Sequence, residues 1–364
     1  MTLEEKIGQL LCLGWHAHLA LDEQAIRCIE ELHAGGMILM GRNVRRSGET
    51  TIDAEAVRTM TDALQARAKT PLLIATDQEG GRVARFSTAP FTQVPPAMQL
   101  ETVADAREAA EVMGRELAMV GVNTNFAPVA DVNSNPANPV IGDRSFGAEP
   151  VGVAEKVVAQ VEGYQSSDVL PCLKHFPGHG DTAVDSHFAL PTLPHSLETM
   201  EARELVPFKA GIDAGCPLVM SAHILFPALD PELPGTLSPE IMTGLLRNTL
   251  GFDGVIVTDC LEMKAVADHW GTAHAAVLAA KAGADLLLIC HTWERQKEAF
   301  DALKAAVESG ELPLVQVDAS VARIQKLKAS LKPVPVFDAS VFGGHTVEAP
   351  ALLGESAPSV DTDS

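Results

Sequence analysis

The sequence predicts an α/β protein folded as a single TIM-like (β/α)8 barrel. Eight short apolar runs alternate with longer amphipathic segments along the chain. Strands that are apolar on both faces and alternate with helices are typical of a closed parallel barrel. The chain has 364 residues, which leaves room for insertions beyond the roughly 250 residues that such a barrel takes. A doubly wound open sheet is the alternative, and the presence of eight runs favours closure.

The predicted elements follow one another in a regular order. The predicted strands are residues 9–13, 36–40, 72–76, 125–129, 169–173, 218–222, 254–258 and 284–290. Clear helical patterns between them cover residues 53–66, 103–120, 152–164, 197–214 and 273–282. A last predicted helix, residues 320–331, is followed by Pro333 and Pro335, which cannot continue it. We therefore predict a catalytic barrel domain over residues 1–332. Residues 333–364 are rich in Ser, Asp, Gly and Pro, which predicts a flexible acidic tail.

Composition limits the possible partners and the compartment. The formal net charge of −21 argues against nucleic acid or an anionic membrane surface as a partner. The first residues are acidic and polar, where a secretory signal would be basic and then apolar. Six scattered cysteines without a Cys-x-x-Cys pair indicate reduced thiols in the core. We therefore expect a cytoplasmic protein. We also expect it to act as a monomer and to need no metal or other cofactor.

Polar side chains follow five consecutive predicted strands. Catalytic groups in such a barrel come from the carboxyl ends of strands and the loops after them. The groups in question are Asp77, Glu79, Arg82 and Arg85 after the third run, Asp131 and Arg144 after the fourth, Lys174, His175, Asp185 and His187 after the fifth, His223 after the sixth and Asp259 after the seventh. Any one of them could be a capping or solvated residue. Five neighbouring strand ends with such groups predict an active site.

Two of these groups suggest a sugar-processing site. Asp259 directly follows the buried strand 254–258, and a rigid strand end would hold a nucleophile in a fixed position. Asp259 could instead cap the next helix. Asp77 shares a short glycine-rich loop with Arg82 and Arg85. A carboxylate beside a guanidinium binds vicinal hydroxyls well, because one accepts hydrogen bonds and the other donates them.

The segment 174–187 carries a candidate acid/base. Pro177, Gly178 and Gly180 disfavour a helix and indicate a structured loop after the strand. Asp185 and His187 are two residues apart, so their side chains share a face in extended backbone. A carboxylate beside an imidazole orients the ring and raises its pKa, which gives a general acid/base near neutral pH.

The same segment carries a family resemblance. Lys-His-Phe-Pro-Gly-His-Gly-Asp-Thr at 174–182, followed by Asp185-Ser186-His187, resembles the signature of the bacterial β-N-acetylglucosaminidases of glycoside hydrolase family 3, the NagZ type. Residues 77–85, 141–146 and 255–259 match further blocks of that family in the same order. The resemblance extends from residue 4 to about residue 331. Cys260 departs from it, since many relatives carry a second Asp there.

The resemblance implies a function and a set of roles. It implies a retaining exo-β-N-acetylglucosaminidase, a β-hexosaminidase that removes terminal N-acetylglucosamine from muropeptide fragments during peptidoglycan recycling. It implies Asp259 as the nucleophile that forms a covalent glycosyl-enzyme, with the Asp185–His187 pair as acid/base. The implied sugar-binding residues are Asp77, Arg85, Arg144, Lys174 and His175. His223 follows the sixth strand and is added as a further substrate-binding candidate.

Other functions stay open at this point. A broader family 3 β-glycosidase or a β-N-acetylglucosaminide phosphorylase would use the same residues. A metal-dependent amidohydrolase would draw its ligands from His16, His18, Lys174, His175, His223 and Asp259. A substrate-assisted hexosaminidase needs adjacent acidic residues at a strand end, whereas the Asp22-Glu23 pair lies at the predicted start of a helix. A sugar-binding protein without activity would leave Asp259 without a role.

Overall fold

The structure is a barrel of eight parallel strands, as predicted, with two extra strands in a small hairpin. The computed structural model describes residues 1–186 and 189–343. Its strands are β1 (Leu11–Leu13), β2 (Gly36–Leu39), β3 (Leu73–Thr76), β4 (Gln78–Gly80), β5 (Val83–Ala84), β6 (Thr124–Asn125), β7 (Leu170–Phe176), β8 (Leu218–Ser221), β9 (Val255–Thr258) and β10 (Leu287–Ile289). Strands β4 and β5 form the antiparallel hairpin. The other eight run in the order β10-β1-β2-β3-β6-β7-β8-β9, and a parallel pairing of Val257 with Leu286 closes the ring.

Helices surround the barrel on its outside. They are α1 (Leu3–Gln9), α2 (Glu23–Glu30), α3 (Gly41–Val44), α4 (Ala54–Arg67), α5 (Val103–Met119), α6 (Pro150–Ser166), α7 (Leu197–Ala202), α8 (Leu205–Asp213), α9 (Lys264–Trp270), α10 (Thr272–Ala282), α11 (Trp293–Ser309) and α12 (Leu314–Ala329). The segment Glu240–Thr249 between β8 and β9 is wound as a π-helix. None of the helices in the two described ranges is long and apolar enough to cross a membrane.

Three predicted elements differ from the observed ones. The predicted helix 197–214 is split into α7 and α8, because the ring of Pro207 would clash with the carbonyl of Arg203 in a continuous helix. The last helix begins at Leu314, directly after Pro313, and not at residue 320. The fourth barrel strand is only two residues long and ends before Pro128, which has no N–H to donate to a neighbouring strand. Pairing continues beyond it as a single bridge between Val129 and Lys174.

The alternation of side-chain direction along the strands determines which residues point into the carboxyl end of the barrel. Side chains of alternate strand residues fill the barrel interior, among them Ala75, Cys172, Val257 and Leu288. Successive strand residues point to opposite faces, so the residue two positions further along each strand points the same way. Those positions are occupied by Asp77, Lys174, Asp259 and Cys290. The inward column of each of these four strands thus ends in a polar or thiol side chain at the carboxyl end of the barrel.

The described part of the predicted tail lies against the barrel. Arg58 Nη1 donates a hydrogen bond of 2.8 Å to the carbonyl of Pro335. The buried ring of Phe342 packs edge-on against Phe91, with centroids 5.0 Å apart. Residues 344–364 of the predicted tail lie outside the described residues, and the domain boundary at residue 332 stays a prediction.

A buried lysine closes the amino-terminal end of the barrel. Lys328 of α12 is 5% exposed, and its Nζ donates a hydrogen bond of 2.7 Å to Oε1 of Gln9. Burial lowers the pKa of Lys328 from 10.5 to about 7, because the charged ammonium loses its hydration. The unfolded chain therefore binds more protons than the folded one between about pH 7 and pH 10.5.

We expect Lys328→Met to raise the free energy of unfolding at pH 7 by a few kcal/mol, since each pKa unit corresponds to about 1.4 kcal/mol. In the unchanged protein, stability rises with pH from about 7 to 10.5, so the advantage of the variant should shrink across that window. Urea unfolding at several pH values measures this. Lys326→Met, at an exposed position of the same helix, is the matched control. An identical pH dependence in both variants would contradict the prediction.

Candidate active site

A cavity of about 420 Å³ opens at the carboxyl end of the barrel strands, a size typical of small-molecule sites. Its floor is apolar and consists of Ile38, Met40, Met220 and Leu288. The first wall, from β3, β6 and β7 and their loops, consists of Asp77, Glu79, Arg85, Arg144, Lys174 and His175. The second wall, from the ends of β9 and β10 and the start of α11 across the barrel, consists of Asp259, Cys260, Glu262, Cys290, His291 and Arg295.

The first wall is a network of three cations and two carboxylates. Lys174 Nζ lies 2.9 Å from Oδ1 of Asp77 and 2.5 Å from Oε1 of Glu79. Arg144 binds Glu79 through two parallel hydrogen bonds of 2.8 Å. Arg85 contacts the other oxygen of Asp77 at 3.2 Å. Bidentate and charge-assisted bonds of this kind fix side chains in one geometry.

These charges are stable because each is paired. Burial alone would raise the pKa of Asp77, but Lys174 and Arg85 hold it well below its usual range. Burial likewise opposes ionisation of Glu79, yet Arg144 and Lys174 lower its pKa to about 2. The pKa of Lys174 is raised by the two carboxylates against the effect of burial. The wall therefore offers permanently charged donors and acceptors, which suit the hydroxyl groups of a sugar.

The β4–β5 hairpin brings Arg85 back to Asp77. The side chain of Gln78 donates to the carbonyl of Phe86 at 3.2 Å and accepts from its N–H at 3.0 Å. Gly80 and Gly81 form the turn with φ of +96° and +56°. A Cβ on Gly80 would lie 2.7 Å from the carbonyl oxygen of Pro95. Only glycine fits such a close approach in this conformation.

His175 is held by a buried carboxylate. Its Nδ1 lies 2.7 Å from Oδ2 of Asp131, so Nδ1 carries the proton, and Nε2 faces Nη2 of Arg144 at 3.3 Å. Burial would raise the pKa of Asp131, but the neighbouring His175 lowers it. Asp131 also accepts from the N–H of His179 at 2.7 Å. One carboxylate thus orders both histidines of the segment that follows β7.

His179 anchors the loop that leads to the predicted acid/base. Its ring nitrogens lie 2.8 Å from Oγ1 of Thr182 and 3.1 Å from Oγ of Ser186. Burial lowers the pKa of His179 to about 4, because the charged imidazolium loses its hydration. The ring is therefore neutral at physiological pH, and its two hydrogen bonds hold the loop in place.

Asp259 stands at the end of β9 in the second wall. Its Oδ1 accepts a hydrogen bond of 2.7 Å from the N–H of Cys260, and its own N–H donates to the carbonyl of Ser221. The alternative role as a helix cap is not observed, because α9 begins at Lys264 and Met263 occupies its N-cap position. Asp259 is thus fixed by backbone contacts with its side chain lining the cavity.

Glu262 joins the ends of β9 and β10 in the second wall. Its carboxylate accepts hydrogen bonds from the N–H groups of His291 at 2.6 Å and Thr292 at 3.0 Å. Cys260 and Cys290 also line this wall, and a contact with the Cys290 thiol lowers the pKa of Cys260 against the effect of burial. The second wall thus combines thiols, an imidazole and carboxylates.

Residues 2–327 match the family described as Glycosyl hydrolase family 3 N terminal domain. The chain belongs to glycosyl hydrolase family 3. The resemblance inferred from the sequence motifs is confirmed, and the predicted barrel is the fold of these relatives.

This family 3 chain is similar to relatives that are named β-hexosaminidase or β-N-acetylglucosaminidase. It is 38% identical to β-hexosaminidase A of Pseudoalteromonas piscicida, over 91% of this chain and 62% of that protein. The structure of a family 3 β-N-acetylglucosaminidase from Paenibacillus sp. FPU-7 superposes with a TM-score of 0.88 at 44% identity, covering 96% of this chain and 66% of that one. The chain thus spans just under two thirds of these two relatives. A β-N-acetylhexosaminidase from Beutenbergia cavernae superposes with a TM-score of 0.82 at 32% identity, covering 90% of this chain and 99% of that one.

The family 3 barrel brings most of the sequence-predicted residues together. Those that line the one cavity are Asp77, Arg85, Arg144, Lys174, His175 and Asp259. His223 is not among the lining residues. It is buried behind the second wall, where its ring contacts Oγ1 of Thr236 at 2.8 Å and the carbonyl of Cys260 at 2.9 Å. Asp185 is half-buried next to Ser186, which lines the cavity. His187 lies outside the described residues.

The ligand set of the amidohydrolase alternative is not assembled. His18 lies 3.6 Å from Glu49, His175 is bound to Asp131, and His16 reaches the carbonyl of His291 at 3.0 Å. Within residues 1–186 and 189–343, the only three side chains close enough to share an ion are Cys260, Cys290 and His291. None of the histidines of that alternative belongs to this group.

Several residues of the site were missed or underrated. The sequence offers Glu79 only as a polar loop residue and an alternative acid, whereas its position between Lys174 and Arg144 makes it the centre of the network. Glu262, Cys290 and His291 were not predicted. A signal was available, because Cys290 and His291 directly follow the eighth apolar run, as the other site residues follow theirs.

Proposed function

We propose that this chain is a retaining exo-β-N-acetylglucosaminidase of the β-hexosaminidase class. The observation that carries the proposal is the single cavity in which Asp259 and the Asp77–Lys174–Glu79–Arg144 network meet. The names of the relatives, β-hexosaminidase and β-N-acetylglucosaminidase, support the choice of substrate.

The first wall suits the binding of a terminal sugar. In this proposal Asp77 accepts hydrogen bonds from hydroxyl groups, while Lys174 and Arg144 donate to them. Because all three side chains are already oriented by one another, little side-chain entropy is lost when the sugar binds. The blind apolar floor below them favours a substrate that enters by its non-reducing end.

The reaction would proceed in two steps. Asp259 attacks the anomeric carbon while an acid protonates the departing glycosidic oxygen, which leaves a covalent glycosyl-enzyme. The same acid/base then takes a proton from water, and the hydroxide displaces Asp259 with overall retention of configuration. We assign the acid/base to His187, oriented by Asp185. The N–H of Cys260 orients the nucleophilic carboxylate.

We further propose that the natural substrates are muropeptides with terminal N-acetylglucosamine, hydrolysed during peptidoglycan recycling in the cytoplasm. All six cysteines lie within the described residues and are buried without a disulfide bond. Such thiols are typical of proteins in a reducing compartment.

Aryl glycosides test the proposed specificity. We expect the aryl β-N-acetylglucosaminide to be cleaved at least about tenfold faster than the β-glucoside, which corresponds to about 1.4 kcal/mol of differential transition-state binding. The assay is run with and without phosphate, and with and without a chelator, and we expect neither addition to change the rates. Equal rates on both sugars would remove the hexosaminidase assignment. A phosphate-dependent rate with a sugar phosphate as product would indicate the phosphorylase, and a loss with chelator that zinc restores would indicate a metal enzyme.

A further inference from the structure

We propose that Cys260, Cys290 and His291 form a binding site for zinc or a similar thiophilic divalent ion, and that an ion bound there blocks the active site. We call these residues the thiol cluster. The ion would take no part in the reaction. The binding stands apart from the proposed function, whereas the inhibition rests on it.

The geometry of the thiol cluster is close to that of a zinc site. The two sulfur atoms and an imidazole nitrogen lie within 4.8 Å of one another. Ligand atoms of a tetrahedral zinc ion lie roughly 3.3–3.8 Å apart, given bonds of about 2.3 Å to sulfur and 2.0 Å to nitrogen. A contraction of about 1 Å, within reach of side-chain rotation, would complete the site.

The barrel holds the ligands on rigid neighbouring elements. Cys260 lies two residues beyond the end of β9, and Cys290 directly follows β10. The N–H of Leu261 donates to the carbonyl of Leu288 at 2.9 Å, so the two strand ends are hydrogen-bonded where the thiols converge. All three ligands lie within two residues of a strand end, so the hydrogen-bonded strand ends limit how far they can move apart.

The chemistry of the cluster favours a soft ion. Two thiols and an imidazole bind zinc and cadmium in preference to magnesium or calcium, which prefer oxygen ligands. On binding, each thiol releases its proton to solvent, and the two thiolates balance the charge of a divalent ion. Three protein ligands leave a fourth position for water or a substrate atom, as in an open zinc site.

The guanidinium of Arg42 makes His291 a weaker metal ligand than the two thiols. Nη1 of Arg42 lies 3.2 Å from Nδ1 of His291, and its Nη2 donates to the carbonyl of Cys290 at 2.7 Å. A guanidinium so close to the ring competes with a metal cation for the imidazole. The two thiolates are therefore the principal ligands, with His291 as the third once its contact with Arg42 loosens.

Occupancy of the cluster would disturb the proposed nucleophile. Cys260 follows Asp259 directly, and its N–H orients the Asp259 carboxylate. Both cysteines also line the cavity. A divalent cation held there attracts the carboxylate of Asp259 and lowers its nucleophilicity, and it takes up space at the second wall. We therefore expect a bound ion to inhibit hydrolysis.

Direct binding is the first test. The full chain, reduced and free of metal, is titrated with cadmium, and the ultraviolet charge-transfer absorption of cadmium–thiolate bonds is followed. We expect one ion per chain, displaceable by zinc. Cys290→Ser should weaken binding at least about a hundredfold, and His291→Ala, which keeps both thiols, about tenfold. Cys216→Ser alters a buried thiol outside the cluster and should bind like the unchanged protein.

Activity is the second test. Zinc should inhibit cleavage of the aryl N-acetylglucosaminide, a chelator should restore it, and Cys290→Ser should need at least about tenfold more zinc. Cadmium binding that Cys290→Ser leaves unchanged would overturn the site, and His291→Ala decides the matter if Cys290→Ser fails to fold. Inhibition that persists equally in Cys290→Ser would overturn the blocking role. A protein without glycosidase activity would refute the proposed function, while the absorption still decides the site.

Discussion

Asp259→Asn is expected to lower turnover by a factor on the order of 10⁴ or more, because an amide cannot form the glycosyl ester that the proposed mechanism requires. The fold should stay intact. Asparagine has the same shape, and its carbonyl oxygen can still accept the hydrogen bond from the N–H of Cys260. Rates on an aryl β-N-acetylglucosaminide and the circular dichroism of the purified variant measure both expectations.

A trapping experiment identifies the nucleophile directly. A fluorinated sugar with a good leaving group should leave its sugar on Asp259, and mass spectrometry of the digested protein locates the label. Asp143→Asn is the matched control, since Asp143 is an exposed carboxylate that pairs with Arg82 at 3.1 Å. It should keep its activity and take the label on Asp259. A label on another carboxylate would overturn the assignment.

His187→Ala is expected to lose activity in proportion to how much the leaving group needs a proton. On a sugar-linked fragment the loss should approach the roughly 10²–10⁴ that is typical of general acid catalysis. A dinitrophenyl glycoside departs without a proton, so its first step should be nearly unaffected. Deglycosylation then becomes limiting, and azide, which needs no general base, should restore turnover.

Asp185→Asn serves as the graded comparison for this experiment. The imidazole remains but loses its charge partner, so the same pattern should appear with a smaller amplitude. Equal losses on both substrates, without rescue by azide, would make His187 a binding or structural residue. Glu79 and His175 would then be the first alternatives for the acid, and of these Glu79 is already committed to ion pairs with Lys174 and Arg144.

The sequence by itself determined the architecture and half of the site. Eight apolar runs predicted the eight barrel strands, because burial on both faces favours apolar residues along most of a strand. The same period-2 alternation carried Asp77, Lys174 and Asp259 into the cavity, since each follows an inward-facing strand residue by two positions. These features are local in the chain, so a local pattern could predict them.

The tertiary structure alone decided which of these side chains meet. Glu79 is an ordinary loop residue in sequence, and only the approach of β7 gives it Lys174 as a partner. His223 follows a strand as the site residues do, yet its ring points behind the second wall. Cys260 and Cys290 become neighbours only because the ring closes between β9 and β10. Such contacts depend on the register between strands that are distant in the chain, and the hydrophobic pattern of one strand carries no information about its partner's register.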